Sequence, residues 1–196
     1  MDLRQIIKEE LNKFKWPQIS DYTNKIFYHG RTVNSTVFSY DYVGGESAID
    51  QYGSGFYFTN KLDKAYYYAG DDGIILKCQV DYKKVVPNSR PRRNVVNTLL
   101  TKSPNANEVF LDFGQTVRQG YMEALKVYSE LDTAYYCYET IANDFYRNER
   151  PEFVKQLSKF YDIFIPEDQE QDNLTIVCFK PEIIKVLDVV KKSEII

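Results

Sequence analysis

Histidine is nearly absent from this chain of 196 residues, which has a single one, His29, and cysteine is limited to three. Cys78, Cys137 and Cys178 are widely spaced, form no CxxC pair and have no second histidine to complete a zinc site. We expect them to be buried, reduced thiols, because a catalytic cysteine would have to take the only histidine as its base. The sequence therefore predicts no metal site.

The chain also lacks a basic surplus and any long apolar run. Its net charge of -3 argues against a general nucleic-acid binder, which normally carries an excess of positive charge. The first residues are charged and helix-periodic, unlike an apolar leader, and no segment reaches membrane-spanning length, so we expect a cytoplasmic protein without membrane contact. One local run of cations that could contact phosphate surrounds two prolines: Lys83, Lys84, Arg90, Arg92 and Arg93.

Length and composition indicate one α+β domain that spans residues 1–196. A chain of this size with 43% hydrophobic residues fills one core and is too short for two substantial ones. Apolar spacings of three and four predict an N-terminal helix over 3–14, short helices over 61–69 and 153–160, and a helical block over about 94–150. Short apolar runs between turn residues predict the strands: 26–29, 55–59, 73–81, 162–165, 174–179 and 183–190.

Two glycine-containing motifs close together in the sequence locate the candidate site. The first is Phe27-Tyr28-His29-Gly30-Arg31-Thr32, and the second is Gly53-Ser54-Gly55-Phe56-Tyr57-Phe58-Thr59. A lone histidine is more often structural than catalytic. The adjacent glycine changes this interpretation, because it lets a ligand approach the backbone while the imidazole supplies a directional hydrogen bond. The pair predicts a site for a small polar ligand.

The two motifs, followed by a helix that carries Ala65-Tyr66-Tyr67-Tyr68-Ala69, resemble the ADP-ribosyltransferase superfamily in the branch shared by diphtheria-type toxins and poly(ADP-ribose) polymerases. Within this branch the chain is most similar to the ADP-ribosyltransferase domains of phage and plasmid polyvalent proteins. The resemblance covers 26–80 and 161–190 and leaves the helical block outside. It implies an α+β fold with two small packed sheets, a cleft between them, and a helical insertion over about 94–150.

The resemblance implies that the matching residues bind NAD as a substrate, with no metal. His29 would hydrogen-bond a ribose hydroxyl, and Gly30 would bind the nicotinamide carboxamide through its backbone. Arg31 and Thr32 continue the first motif and are also predicted to bind NAD. Tyr57 and its counterpart eleven residues on, Tyr68, would sandwich the nicotinamide ring, because aromatic faces attract a cationic pyridinium. His29 and Tyr57 are predicted to serve catalysis as well as binding.

The third motif of the family is a glutamate at the head of the penultimate core strand, where it stabilises positive charge developing at the anomeric carbon. Alignment of the strand end places Thr175 at this position. Asp172 and Glu170 lie just upstream, and we predict Asp172 as the catalytic carboxylate, followed by Glu139 of the helical block if neither serves. The alternative for this acidic stretch is an ordinary solvated turn.

The implied activity is mono-ADP-ribosyl transfer from NAD to a macromolecule, a host protein or an RNA, with release of nicotinamide. A phage-encoded toxin or effector fits this resemblance. One alternative is NAD hydrolysis, with water as the acceptor. Another is a catalytically silent relative that binds NAD, ADP-ribose or a protein, and two departures favour it: Thr175, and Ala65 where the family usually has a small hydroxyl residue.

The helical block is rich in aromatic residues, which are favoured as anchors in protein interfaces. At helical spacing any single tyrosine is more often part of the core than of a surface. We nevertheless expect some of them to be exposed and to recognise the macromolecular target. The candidates are Tyr121, Tyr128, Tyr135, Tyr136, Tyr138, Phe145 and Tyr146.

Overall fold

The computed structural model describes residues 26–43, 53–166 and 174–191. Within these ranges the chain has six α-helices and one six-stranded antiparallel sheet, which confirms the predicted α+β class. The helix predicted over 3–14 lies outside the described residues. The strands are β1 (Ile26–Arg31), β2 (Phe56–Thr59), β3 (Ile74–Val80), β4 (Ile163–Phe164), β5 (Thr175–Cys178) and β6 (Ile184–Lys191), in the spatial order β4-β5-β2-β1-β3-β6.

A single register position joins the two halves of this sheet. β1 pairs with β3 at six positions and β2 pairs with β5 at four, whereas β1 meets β2 at one position, Tyr28 opposite Thr59. The prediction of two packed sheets is wrong, because this pair holds the halves β4-β5-β2 and β1-β3-β6 edge to edge in one layer. Beyond it, towards the end of β1, the two halves separate.

Strand alternation places two sets of apolar side chains on opposite faces of the sheet. On one face, Phe27 and Phe58 join the main core together with the helices of the second half of the chain. On the other face, Tyr28 and Ile75 contact the first α-helix, α1 (Leu62–Tyr68). The helix α1 therefore covers one face of the sheet at β1 and β3, and the helical block packs on the main core.

The segment predicted to be helical contains a succession of short helices that pack on the main core. These are α2 (Arg93–Lys102), α3 (Ala106–Phe113), α4 (Val117–Ser129), α5 (Ala134–Ile141), a π-helix over Ala142–Tyr146, and α6 (Arg150–Leu157). The π-helix continues α5 directly. Such short π segments inside helical runs are rare and occur frequently at functional sites.

Most of the aromatic residues of the helical block are buried in the core, as expected for a single ring at helical spacing, and one of the candidates for a target-binding surface is exposed. Tyr128, Tyr138, Phe145 and Tyr146 are at most 3% exposed, whereas Tyr136 is 61% exposed. The inner face accommodates these rings because hydroxyl groups at its margin find partners. The Tyr146 hydroxyl donates to the Leu99 carbonyl at 2.8 Å, and the Tyr121 hydroxyl donates to Asn97 Oδ1 at 2.6 Å.

All three cysteines are buried and unpaired with one another, as predicted. Burial raises the pKa of the thiols of Cys78, Cys137 and Cys178 to about 12, so none is a nucleophile near neutral pH. The described part of the chain has no group of His, Cys, Asp and Glu side chains arranged to hold a metal ion. A helix with the length and apolarity to cross a membrane is also absent from the described ranges.

Candidate functional site

The candidate site lies where β1 and β2 separate. One position past the Tyr28–Thr59 pair, the ring of His29 lies 5.2 Å from that of Phe58, its cross-strand neighbour. The imidazole Nδ1 is 2.6 Å from the Tyr57 carbonyl oxygen. A histidine side chain therefore links the two halves of the sheet beyond their last backbone pair, and it brings the first motif into contact with the second.

The surroundings of His29 select one neutral tautomer. The Tyr57 carbonyl can only accept, so Nδ1 carries the hydrogen and Nε2 is an acceptor. Nε2 accepts from Arg31 Nε at 3.1 Å. Burial and, to a smaller extent, the positive charge of Arg31 lower the pKa of His29 to about 4, although the hydrogen bond to the Tyr57 carbonyl raises it. The ring is uncharged near neutral pH, and the predicted ribose contact requires Arg31 to leave Nε2.

Arg31 has a second role that the sequence did not indicate, because it folds the following segment over the histidine. Its Nη1 donates to the carbonyls of Ser35 at 2.9 Å and Val37 at 2.8 Å, and its guanidinium carbon lies 4.4 Å from the centre of the Phe38 ring. The Phe38 ring is in turn 5.1 Å from His29. Arg31 is only 8% exposed, so this segment and its arginine close the imidazole face of the site.

Gly30 is required by the packing of α1. A Cβ at this position would lie 2.0 Å from the Ala65 carbonyl oxygen and 2.7 Å from the Ala69 nitrogen, so no larger residue fits without moving the helix backbone. The sequence indicated that this glycine admits a ligand. The structure adds a packing reason, because the space of the missing side chain is filled by α1. Thr32, one of the predicted NAD-binding residues, is exposed just past the end of β1.

The two tyrosines predicted to stack on nicotinamide lie on neighbouring elements, β2 and α1, and Tyr57 packs against the main core. Alternation along β2 directs the Tyr57 side chain to the face opposite Phe58, and its hydroxyl donates to the Gly53 carbonyl. Tyr68 closes α1, is 53% exposed, and its ring meets that of Tyr67 edge-on at 5.6 Å.

The helical block contacts the second motif through Glu139 of α5. Its Oε1 accepts from the Ser54 backbone N–H at 3.3 Å, and its Oε2 lies 3.6 Å from Arg150 Nη1. The same Arg150 Nη1 donates to Ser54 Oγ at 3.2 Å, and Arg150 Nη2 donates to Asn143 in the π-helix. We refer to Ser54, Glu139, Asn143 and Arg150 as the loop brace.

The loop brace explains the glycine that opens the second motif. Gly53 has a φ of 81°, and a Cβ there would lie 2.3 Å from the Glu139 carboxylate. The Gly53 carbonyl accepts from the Tyr57 hydroxyl, so the brace holds the loop that orients Tyr57. Sequence reasoning named Glu139 as a reserve catalytic acid and missed Arg150 and Asn143. A glycine pair before a strand was the one available signal that this turn is constrained.

The structure describes only the part of the predicted third motif from residue 174 onwards. Thr175 opens β5 opposite Thr59, on the same face of the sheet as Tyr57, which is where the family resemblance calls for a glutamate. Leu174 precedes it and is fixed to the end of β2, since its N–H donates to Asn60 Oδ1 at 2.8 Å. Asp172 and Glu170 lie outside the described residues, so the assignment of the catalytic carboxylate stays a prediction.

Comparison of the chain with models of protein families, with curated proteins and with solved structures found no match. The resemblance to ADP-ribosyltransferases therefore rests on the motif residues of the chain itself.

Proposed function

We propose that this protein transfers ADP-ribose from NAD to a macromolecular acceptor and releases nicotinamide, on an ADP-ribosyltransferase-like core. The observation that carries the proposal is the contact of 2.6 Å between His29 Nδ1 and the Tyr57 carbonyl. It joins the histidine-glycine motif to the glycine-tyrosine motif at the point where the sheet divides. Each motif alone is weak evidence for a nucleotide site, whereas their contact at one place in the fold supports one.

The residues around the split have the chemistry that NAD requires. The nicotinamide ring would lie between Tyr57 and Tyr68, where an aromatic face attracts the cationic ring by about 0.5 to 2 kcal/mol. The backbone of Gly30 would bind the carboxamide. His29 Nε2, an acceptor in its neutral tautomer, suits a ribose hydroxyl once Arg31 moves aside. The site would thus bind the nicotinamide end of NAD by stacking and hydrogen bonds.

The reaction breaks the bond between nicotinamide and the anomeric carbon. Nicotinamide leaves with the bonding electron pair, the positive charge spreads over the ribose, and a nucleophile on the acceptor attacks the carbon and loses its proton. A carboxylate beside this charge is worth several kcal/mol in a site that excludes water. We assign it to Asp172 rather than to Glu139, because Glu139 is paired with Arg150 in the loop brace.

Two observations favour a second candidate, a binding module that does not turn NAD over. Thr175 stands at the head of β5, and a hydroxyl there cannot replace the charge of a glutamate. Arg31 also occupies His29 Nε2, the atom that the ribose needs. A module of this kind would bind NAD or ADP-ribose with the same residues, without releasing nicotinamide.

The test is to incubate the purified protein with NAD, measure released nicotinamide, and repeat the incubation in a cell lysate with labelled NAD. A transferase releases nicotinamide and labels a macromolecule, a hydrolase releases it without labelling, and a silent module binds NAD by calorimetry and releases none. A folded wild-type protein with no affinity for either NAD or ADP-ribose would reject all three.

The variant Tyr68→Ala makes this test specific to the site. We expect it to weaken NAD binding by roughly three- to thirtyfold, the loss of one aromatic stack, and to leave ADP-ribose binding nearly unchanged. Tyr67→Ala is the matched control, since Tyr67 is adjacent, 78% exposed and assigned no ligand contact. His29→Ala should weaken both ligands because it removes the ribose contact. Equal effects of Tyr67→Ala and Tyr68→Ala on NAD would remove the nicotinamide stack from the proposal.

A further inference from the structure

We propose that an open groove on the helical block binds single-stranded nucleic acid, which makes nucleic acid the macromolecular acceptor. The groove has a volume of about 930 Å³ and lies between the start of α2 and the outer side of α4. Its lining includes Arg93, Phe113, Gln115, Arg118, Met122 and Lys126. This inference deepens the proposed function and rests on it for the transfer step, whereas the binding step can be measured alone.

The groove carries positive charge that the protein does not neutralise. Arg93, Arg118 and Lys126 line it with one carboxylate, Glu123, and none of the three cations forms an ion pair with a described residue. Arg93 is the first residue of α2 and Arg118 the second of α4, and neither helix has an acidic residue in its first turn. Cations at helix N-termini are disfavoured by the helix dipole, so an anion in the groove would relieve this charge.

The rest of the lining suits a nucleotide better than a bare anion. Met122 is 54% exposed, and the half-buried Phe113 lies beside it, so an apolar surface is available to a base. Gln115 and Gln119 supply amide donors and acceptors for base edges. Cations that track the backbone, together with apolar surfaces under the bases, are the usual elements of single-strand recognition.

The positive charge also continues outside the groove, which indicates a polymer rather than one nucleotide. Arg90 and Arg92 are exposed immediately before Arg93. The overall charge of -3 does not oppose this, because a local concentration of cations steers a polyanion whatever the sum over the molecule. The carboxylates of an acidic polypeptide would pair with the cations but would leave the apolar surface without a flat ring to lie on it. We therefore favour nucleic acid.

The test measures binding of a labelled single-stranded oligonucleotide to the full chain by fluorescence anisotropy, without NAD and over a series of salt concentrations. The double variant Arg118→Gln, Lys126→Gln should bind roughly tenfold more weakly, and its plot of log affinity against log salt should be flatter by about 0.7 for each lost phosphate contact. Lys185→Gln, Lys191→Gln is the matched control, since both lysines are exposed on β6, away from the groove.

The inference would be overturned if the wild-type protein did not bind the oligonucleotide at low salt, or if the groove and control variants lost oligonucleotide affinity equally. It would also be overturned if polyglutamate bound as tightly as the oligonucleotide and the groove variant weakened both to the same extent. Nicotinamide release from NAD without acceptor is measured in parallel. The rate of this release should be the same in the wild-type protein and in the groove variant. A failure of the nucleic-acid site is therefore distinguishable from a failure of the proposed NAD chemistry.

Discussion

His29 is fixed in one tautomer, and this limits what the residue can do. With Nδ1–H directed at the Tyr57 carbonyl and Nε2 as an acceptor, the neutral ring can orient a hydroxyl group. A general acid or base works best with a pKa near the working pH, and a pKa of about 4 is far below it. At the residue scale, His29 therefore links the sheet halves, and in the proposed function it would bind and orient a substrate rather than carry a proton.

The free energy of unfolding should decrease as the pH falls from about 6.5 to about 4. The unfolded chain protonates His29 near its ordinary pKa of 6.5, whereas the folded ring accepts a proton only near 4. The unfolded state therefore binds more protons in this window, and stability is lost as the pH falls through it. Above about 6.5 both states are neutral at this residue, and its contribution to the pH dependence disappears.

Urea unfolding of the wild type and of His29→Gln at several pH values isolates this effect, because the variant keeps the titrating carboxylates and lacks the imidazole. The two pH profiles should diverge below about 6.5. The chain has a single histidine, so its ring resonances in an NMR titration report its folded pKa directly. A midpoint close to 6.5 in the folded protein would contradict a ring held neutral by its surroundings.

At the element scale, the loop brace joins the helical block to the strand that carries Tyr57. Glu139 and Arg150 have side chains that are 19% and 20% exposed, so their pairing is partly shielded from water. Arg150 also donates to Asn143, which ties the brace to the π-helix that interrupts the regular pattern after α5. The helical block therefore supports the site from outside the segments that resemble the family.

Two carboxylate variants should separate catalysis from support. Asp172→Asn should reduce transfer about a hundredfold or more and leave NAD affinity nearly unchanged, as expected for loss of one charge-stabilising group. Glu139→Gln should instead raise the KM for NAD, because it loosens the Gly53–Ser54 loop and the orientation of Tyr57. Arg150→Gln should resemble Glu139→Gln, since both break the same ion pair.

Steady-state kinetics of nicotinamide release check both expectations, with Glu170→Gln as the matched control for Asp172→Asn. Full activity of Asp172→Asn together with a large fall in kcat for Glu139→Gln would reverse the assignment and make Glu139 the carboxylate of the reaction. Full activity of all three carboxylate variants would place the acid elsewhere in the chain.

At the scale of the whole molecule, the sheet consists of two halves with a narrow connection. One half is β4-β5-β2 and the other is β1-β3-β6, and they share the Tyr28–Thr59 pair and the contact from His29 to the Tyr57 carbonyl. The main hydrophobic core includes residues of both halves. The molecule is therefore continuous in its core and weakly joined in its sheet, and the weak joint is at the candidate site.

Hydrogen exchange should detect this joint. We expect the amides of Tyr28 and Thr59 to exchange faster than that of Ile176, which lies in the regularly paired part of β5, because local opening is easiest where few bonds must break. His29→Ala should accelerate exchange at the joint and leave that of Ile176 unchanged. NAD should slow it in the wild type. Uniform protection across β1 and β2, unaffected by His29→Ala, would show that the sheet is not divided here.

Much of the local structure could be predicted from the sequence. The strands around His29 and Tyr57, the helix that ends near Tyr68, and the helical block follow from apolar spacings of two and of three or four, which reflect neighbours close in the chain. The exposure of the tyrosines was predicted less well. Spacing indicates that a ring lies on a helix face and does not show which face packs inward, so it could not distinguish Tyr128 and Tyr138, which are core residues, from the exposed Tyr136.

By itself the sequence determined the fold class, the order of the elements and the two motifs that meet at the site, because these depend on short-range spacing and on residue type. The tertiary structure alone decided the joining of two half-sheets at one pair, the position of Arg31 on His29 Nε2, and the loop brace. Ser54 is 85 residues from Glu139 and 96 from Arg150. Contacts between such distant residues exist only once the core has packed, and no local pattern records them.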